Sequence, residues 1–158
     1  MLKYNREGAV AYAKKWALGK NPNYFHFGGI GGDCTNFISQ CLLAGGGNMN
    51  FDKYYGWFYV DKDNRSPSWT SVKYLQRFLL TKNSPGFIVK VLPIDKLQVG
   101  DIIQIRQNPK EFNHSVIITR ITNREIYVSA HSYDVLNKPL SSYKALELKG
   151  LHIIGINQ

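Results

Sequence analysis

Cys34, His114 and His131 are the residues of this chain whose types and spacing fit nucleophilic chemistry. Cys34 follows Gly31-Gly32-Asp33 and opens a stretch, Cys34 to Ala44, in which Phe37, Ile38, Cys41 and Leu42 recur at helical spacing before Gly45-Gly46-Gly47 ends it. Asp33 reads as the N-cap of that helix. A cysteine in the first helical turn faces backbone N–H groups that lack intrahelical partners, at the positive end of the helix dipole. Both effects favour thiolate over thiol. The two preceding glycines leave room for backbone or substrate to approach.

His114 opens the strand pattern His114-Ser115-Val116-Ile117-Ile118-Thr119, and His131 closes the next, Tyr127-Val128-Ser129-Ala130-His131. A hairpin turning near Thr122-Asn123-Arg124 sets His114 opposite residue 131, 132 or 133. Opposite residues share a face with Cβ atoms about 4.5–5.5 Å apart, and a slip of one residue turns one ring away. In the register that pairs the two histidines, the three residues supply a nucleophile, a base and an orienting group. His114 takes the proton of Cys34, or pairs with the thiolate as imidazolium. His131 holds His114 by a ring-to-ring hydrogen bond. Asp134 is a second candidate for the third role, and Ser129 a weaker one. The expected reaction is acyl transfer: attack on an amide carbonyl, a thioester on Cys34, then release by water. The Cys34 backbone N–H and one further donor would hold the oxyanion, with Asn36 and Ser39 as weak candidates for the latter.

Each residue also has a structural reading. Cys34 fits a small buried hydrophobe at a helix start, and the two histidines fit strand-edge rings satisfied by carbonyls. One Cys and two His could ligate zinc, but nothing else in the chain has ligand spacing, so no metal and no cofactor are expected. The stretch Gly28-Gly29-Ile30-Gly31-Gly32 lacks the Gly-Lys-Ser/Thr ending of a phosphate loop. Cys41 reads as core, and His26 and His152 as packing or surface residues. On one helix Cys34 and Cys41 are separated by a rise of about 10.5 Å. A disulfide needs Cα atoms within about 7 Å, so the two do not bridge.

The elements that must position this set are legible in outline. Helices are expected over Tyr4 to Leu18, Cys34 to Ala44 and Ser71 to Thr81, the last capped by Ser68 or Thr70. The aromatic stretch from Asn48 to Ser68 reads as a long ordered loop or short strands. Short β-branched runs follow at Phe87 to Leu92, Asp101 to Arg106, His114 to Ile121, Glu125 to His131 and Leu151 to Ile156. Helices first and strands later predict an α+β fold, with the N-terminal helices packed on a C-terminal antiparallel sheet.

At 158 residues, 44% hydrophobic and 20% charged, the chain suits one compact domain over residues 1–158. This composition excludes disorder as the main reading, and no apolar run is long enough to span a bilayer. Met1 to Val10 has no apolar signal-peptide core. A cytoplasmic protein is expected, or a secreted or wall-associated one if the chain is a mature or excised domain. The net charge of +9 favours anionic partners. The basic residues are dispersed, which argues against a nucleic-acid tail. A second function class therefore stays open: a non-catalytic basic module holding wall polymer or nucleic acid, with the 13% aromatic content as its surface. The aromatics from Tyr54 to Trp69 would wall a cleft in one reading and form core in the other.

Several runs in this chain resemble the bacterial "putative amidase domain" family. They begin with Tyr4-Asn5-Arg6-Glu7-Gly8-Ala9-Val10-Ala11-Tyr12-Ala13, Trp16, Asn21-Pro22-Asn23-Tyr24 and Gly31-Gly32-Asp33-Cys34-Thr35-Asn36-Phe37-Ile38-Ser39-Gln40-Cys41. Trp57-Phe58-Tyr59, Ser68-Trp69, Gly100-Asp101-Ile102, His114-Ser115 and Ala130-His131-Ser132 follow in order. The family is itself similar to the papain-like, NlpC-type cell-wall hydrolases. The resemblance implies a papain-like α+β fold with Cys34 as nucleophile, His114 as base and His131 as third polar residue. It also implies an amide substrate such as a peptide of peptidoglycan.

Overall fold

The computed structural model describes residues 1–28, 32–82 and 85–158. Its helices are α1 (Arg6–Trp16), α2 (Asp33–Ala44), α3 (Pro67–Thr70) and α4 (Val72–Leu80). Its strands are β1 (Tyr59–Asp61), β2 (Asn64–Arg65), β3 (Gly86–Leu92), β4 (Ile102–Arg106), β5 (His114–Ile121), β6 (Ile126–Ala130), β7 (Val135–Pro139) and β8 (Glu147–Asn157). Among the described residues β1 and β2 form a small hairpin, and the other six strands form one sheet in the order β3-β8-β4-β5-β6-β7, every neighbouring pair antiparallel. The fold is α+β, as the order of elements predicts. β7 and α3 are additions, whereas the β1–β2 hairpin takes the short-strand alternative within Asn48 to Ser68. Both additions are short, and β7 ends in Pro139, which hides it from a pattern reading.

Local chemistry explains the helix ends. The Asn5 side chain caps α1 by accepting the Gly8 N–H at 2.9 Å, and Lys14 and Lys15 lie in the last turn, where the dipole is negative. Ser71 caps α4 by accepting the Tyr74 N–H at 3.2 Å, so neither Ser68 nor Thr70 has that role. The stripe Leu75, Phe78 and Leu79 then faces inward.

The sheet is covered on both faces, and the period of two along each strand sorts its side chains. One face sends Ile102, Ile117, Leu151 and Ile153 against Phe37, Ile38 and Leu42 of α2 and against the buried alanines of α1. The other face carries Ile103, Ile105, Val116, Ile118, Val128 and Ala130, closed over by Leu97 and Leu140. The aromatic segment divides. Trp57 and Trp69 are fully buried, 4.8 Å apart between ring centroids, and belong to the core, whereas Phe51, Tyr54 and Tyr55 are exposed.

Every residue of α2 from Asp33 to Leu42 is buried, including five polar ones. Buried polar groups need partners, and here they have them. Ser39 Oγ donates to the Trp69 carbonyl and accepts from Trp57 Nε1, each at 3.0 Å. Asn36 Oδ1 accepts from Trp69 Nε1 at 3.0 Å. Cys41 lies in the core as expected.

Gly32 leads into α2 with a left-handed φ of 88°, and a Cβ there would lie 2.6 Å from the Thr70 carbonyl oxygen. Gly32→Ala is therefore expected to destabilise the protein by at least about 1–2 kcal/mol from the backbone conformation alone. Urea denaturation measures it, and an unchanged midpoint would contradict this account of the α2 entry. Gly29, Ile30 and Gly31 of the glycine-rich stretch lie outside the described residues.

Candidate active site

Asp33 is the first residue of α2 and does more than a cap. The N-cap is Gly32, and the Asp33 carboxylate meets four donors, one from its own helix and three from outside it. Oδ1 accepts from the Phe27 N–H at 2.8 Å and from Asn36 Nδ2 at 3.1 Å. Oδ2 lies 2.7 Å from His131 Nδ1 and 3.2 Å from His26 Nε2. The other nitrogen of His131, Nε2, lies 2.8 Å from the Trp16 carbonyl at the end of α1. A carbonyl only accepts, and so does an ionised carboxylate, so both nitrogens of His131 carry protons and the ring is an imidazolium. Its face stacks on Phe37 with centroids 4.2 Å apart.

Burial opposes both charges, yet the pair prevails. Burial would raise the Asp33 pKa, but the hydrogen bonds from His131, Phe27 and Asn36 bring it below its ordinary 3.8. Burial would lower His131, but Asp33 and the Trp16 carbonyl raise it above 6.5.

Cys34 follows Asp33 and is 4% exposed. Burial raises its thiol above the ordinary value, and the Asp33 charge adds to that. The Ser115 and Thr35 backbone N–H groups and the Thr35 hydroxyl act the other way and do not overcome it. The thiolate expected from the helix start is thus not the resting form: desolvation outweighs the helix end. The Thr35 hydroxyl, 3.8 Å from the sulfur, also meets Ser115 Oγ at 3.2 Å, which fastens the start of α2 to the start of β5.

His114, the residue before Ser115, is buried at the first position of β5. Burial, and next the charge of Lys138, lower its pKa to about 4, so the ring is neutral at pH 7. It lies 5.8 Å from the Tyr143 ring, and Tyr143 in turn interacts electrostatically with Cys34. Burial and that nearby sulfur push the Tyr143 phenol up to about 12. Ser115 and Tyr143 thus connect Cys34 and His114, one through the strand backbone and the other through its ring.

The structure corrects the hairpin register. β5 pairs Ile117 with Ser129 and Ile118 with Val128, one residue away from the register that sets His114 against His131. The slip puts the two rings on opposite faces. His131 joins α2, while His114 follows the alternation of Val116 and Ile118 onto the far face. The ring-to-ring hydrogen bond is not formed, because both nitrogens of His131 are already bonded elsewhere. Asn36 and Ser39 cannot supply an oxyanion donor either: the Asn36 amide N–H groups go to Asp33 and the Phe25 carbonyl, and the Ser39 hydroxyl to Trp69. Asp134 is exposed and bears on His131 through its charge. The Ser129 hydroxyl meets Thr119 Oγ1 at 2.8 Å and accepts the Asn137 N–H. His152 pairs with Asp101 at 2.8 Å beside the Arg6–Asp101 ion pair, which anchors α1 to the sheet.

His26, Asp33 and His131 bring three ligand atoms within 4.8 Å of one another and could together hold a cation. Their hydrogen bonds are complete with protons alone: the Gly28 N–H donates to His26 Nδ1 at 3.4 Å, which leaves the ring proton on Nε2, facing Asp33. A ligated metal would have to displace the Nδ1 proton of His131 and the Nε2 proton of His26. The zinc set considered from sequence, Cys34 with two histidines, is not this cluster.

Residues 3–154 match the family described as "Putative amidase domain". The chain belongs to that family. It is 33% identical over 137 residues to the Uncharacterized protein YhbB of Bacillus subtilis (strain 168), covering 84% of this chain and 43% of the relative. It is 30% identical over 146 residues to the Uncharacterized protein YjcM of the same organism, covering 86% of this chain and 32% of that relative. The chain thus spans less than half the length of these curated relatives. No solved structure matches it. No helix among the described residues is long and apolar enough to cross a membrane.

Asp33, Lys138 and Tyr143 were missed as members of this neighbourhood. The signal for Asp33 was present, an acid directly before Cys34 and a histidine at the end of a core strand. Lys138 and Tyr143 come from β7 and the turn after it, which carry no periodic pattern.

The ion pair has a pH signature. The His131 contribution is complete below pH 6.5 and is lost as pH rises through its raised pKa; the Asp33 contribution is present above pH 3.8 and is lost as pH falls through its lowered one. Asp33→Ala leaves a buried imidazolium without its counter-charge and is expected to cost about 3–5 kcal/mol near pH 6. The deficit should shrink at both more acid and more alkaline pH. Urea titrations of both proteins check this, and a small, pH-independent deficit would contradict it.

Proposed function

We propose that this chain is a cysteine amidase or peptidase with Cys34 as nucleophile and His114 as general base, acting on peptide amides such as those of peptidoglycan. One observation carries the reading: Cys34, at the start of α2, accepts the backbone N–H of Ser115, the residue after His114, and interacts electrostatically with the Tyr143 phenol, whose ring lies 5.8 Å from that of His114. The family description, which names an amidase, agrees with it. A nucleophilic cysteine on a helix packed against an antiparallel sheet is also the arrangement of a papain-like fold, and we place this chain there.

The chemistry runs from a neutral resting pair. Cys34 Sγ attacks the amide carbonyl carbon as its proton passes to His114. The carbonyl oxygen becomes an oxyanion, received by the Cys34 backbone N–H and the Tyr143 hydroxyl. His114 then gives its proton to the leaving nitrogen, the C–N bond breaks, and an acyl thioester remains on Cys34. Water, deprotonated by His114, attacks the thioester carbon; the acid leaves and the thiol is restored. One oxyanion donor contributes roughly 3–4 kcal/mol to such a barrier. His131 has no proton step here. It is a positioning residue, holding Asp33 and so the start of α2.

The basic charge of +9 favours the competing reading of a binding module, and the thiol separates the two. Wild type should hydrolyse purified wall sacculi or short peptide amides, and Cys34→Ala should lose at least about a thousandfold in kcat/KM. Because His114 must be neutral to act, the acid limb of the wild-type profile should fall near pH 4 rather than near 6.5. Release of products from both substrate types by Cys34→Ala at the wild-type rate would overturn the cysteine mechanism, and salt-sensitive binding without hydrolysis would favour the module.

A further inference from the structure

A cleft of about 420 Å³ opens beside His114, and its lining includes Tyr143, Asn113, Ser132, Lys138 and Lys144. Its charged side chains are both lysines, and no carboxylate lines it. Among the described residues neither lysine forms an ion pair; the ion pairs present use Arg6, Arg106 and three histidines. Lys138 is a half-buried member of β7, and its strand pairing with Val128 fixes its backbone. Its ammonium sits 4.1 Å over the ring of Tyr143, which lines the same cleft as His114.

We infer that this cleft receives a carboxylate of the substrate on Lys138, with Lys144 at its outer edge, so that the chain prefers amides bearing a free carboxylate close to the scissile bond. The inference rests on the cysteine amidase reading for the location of the scissile bond, and on the charge and geometry of the cleft for the carboxylate. It also gives Lys138 a purpose. A cation beside a buried general base works against the proton that base must take up, and burial and Lys138 are what hold His114 down to about 4. A bound carboxylate neutralises Lys138 and returns proton affinity to His114 only when the correct substrate is in place. Recognition and base strength are thereby joined, which spends binding energy where it speeds the reaction. Lys138 is a specificity residue; it transfers no proton.

The test uses short peptides in matched free-acid and carboxamide forms. Wild type should show a kcat/KM for the free acid about tenfold or more above that for the carboxamide, in line with one charge-assisted contact. Lys138→Met should bring the ratio close to one, and Lys138→Arg should keep most of it, which separates lost charge from lost folding. A binding arm uses Cys34→Ala, with calorimetry on the same two peptides: the acid should bind tighter, and Cys34→Ala/Lys138→Met should bind both equally. Hydrolysis by wild type without preference for the acid, or a preference that survives Lys138→Met, would overturn the carboxylate site. A Lys138-dependent preference in binding, with no hydrolysis of either form, would support the carboxylate site and count against the amidase reading instead.

Discussion

A single buried carboxylate joins the elements that surround Cys34. Asp33 accepts from a loop backbone, from its own helix, from His26 and from the imidazolium of His131, which also grips the end of α1. Two helices and the end of β6 therefore meet at one pair of charges, 2.7 Å apart and almost wholly shielded from water. In such surroundings neither charge is tolerable alone, and each is tolerable with the other. Because Cys34 is the next residue, its position beneath β5 depends on that pair.

The same shielding determines how Cys34 and His114 behave. Burial disfavours the thiolate at Cys34 and the imidazolium at His114, so the resting site holds a neutral thiol and a neutral ring. A helix start would favour a thiolate in a wetter place, but here Ser115 and Thr35 only soften the effect of desolvation. The two histidines, similar by position in the chain, are opposite in state: His131 is held charged by acceptors on both sides, and His114 is held neutral by burial and a lysine.

Much of this was legible in the sequence because it depends on local rules. The order of elements, the boundaries of β5 and the start of α2 at Asp33-Cys34 follow from periodicity, β-branched runs and glycine stops. The register of the β5–β6 hairpin was not legible to one residue, and that residue decides which face each histidine takes. A bulge after Ile118 and two left-handed residues beyond β6, Ser132 and Tyr133, lie outside any simple turn rule. Asp33 was read as a cap because its distant partners, His131 and Phe27, meet it only in the folded chain. Tyr143 and Lys138 were invisible because they sit on the short edge strand and the turn that follows it.

The assignment of His114 as base and His131 as scaffold is tested most directly by side-chain nitrogen NMR on the intact protein at pH 7. The account predicts two protonated nitrogens in the ring of His131 and one in the ring of His114. A neutral His131 together with a doubly protonated His114 would contradict it.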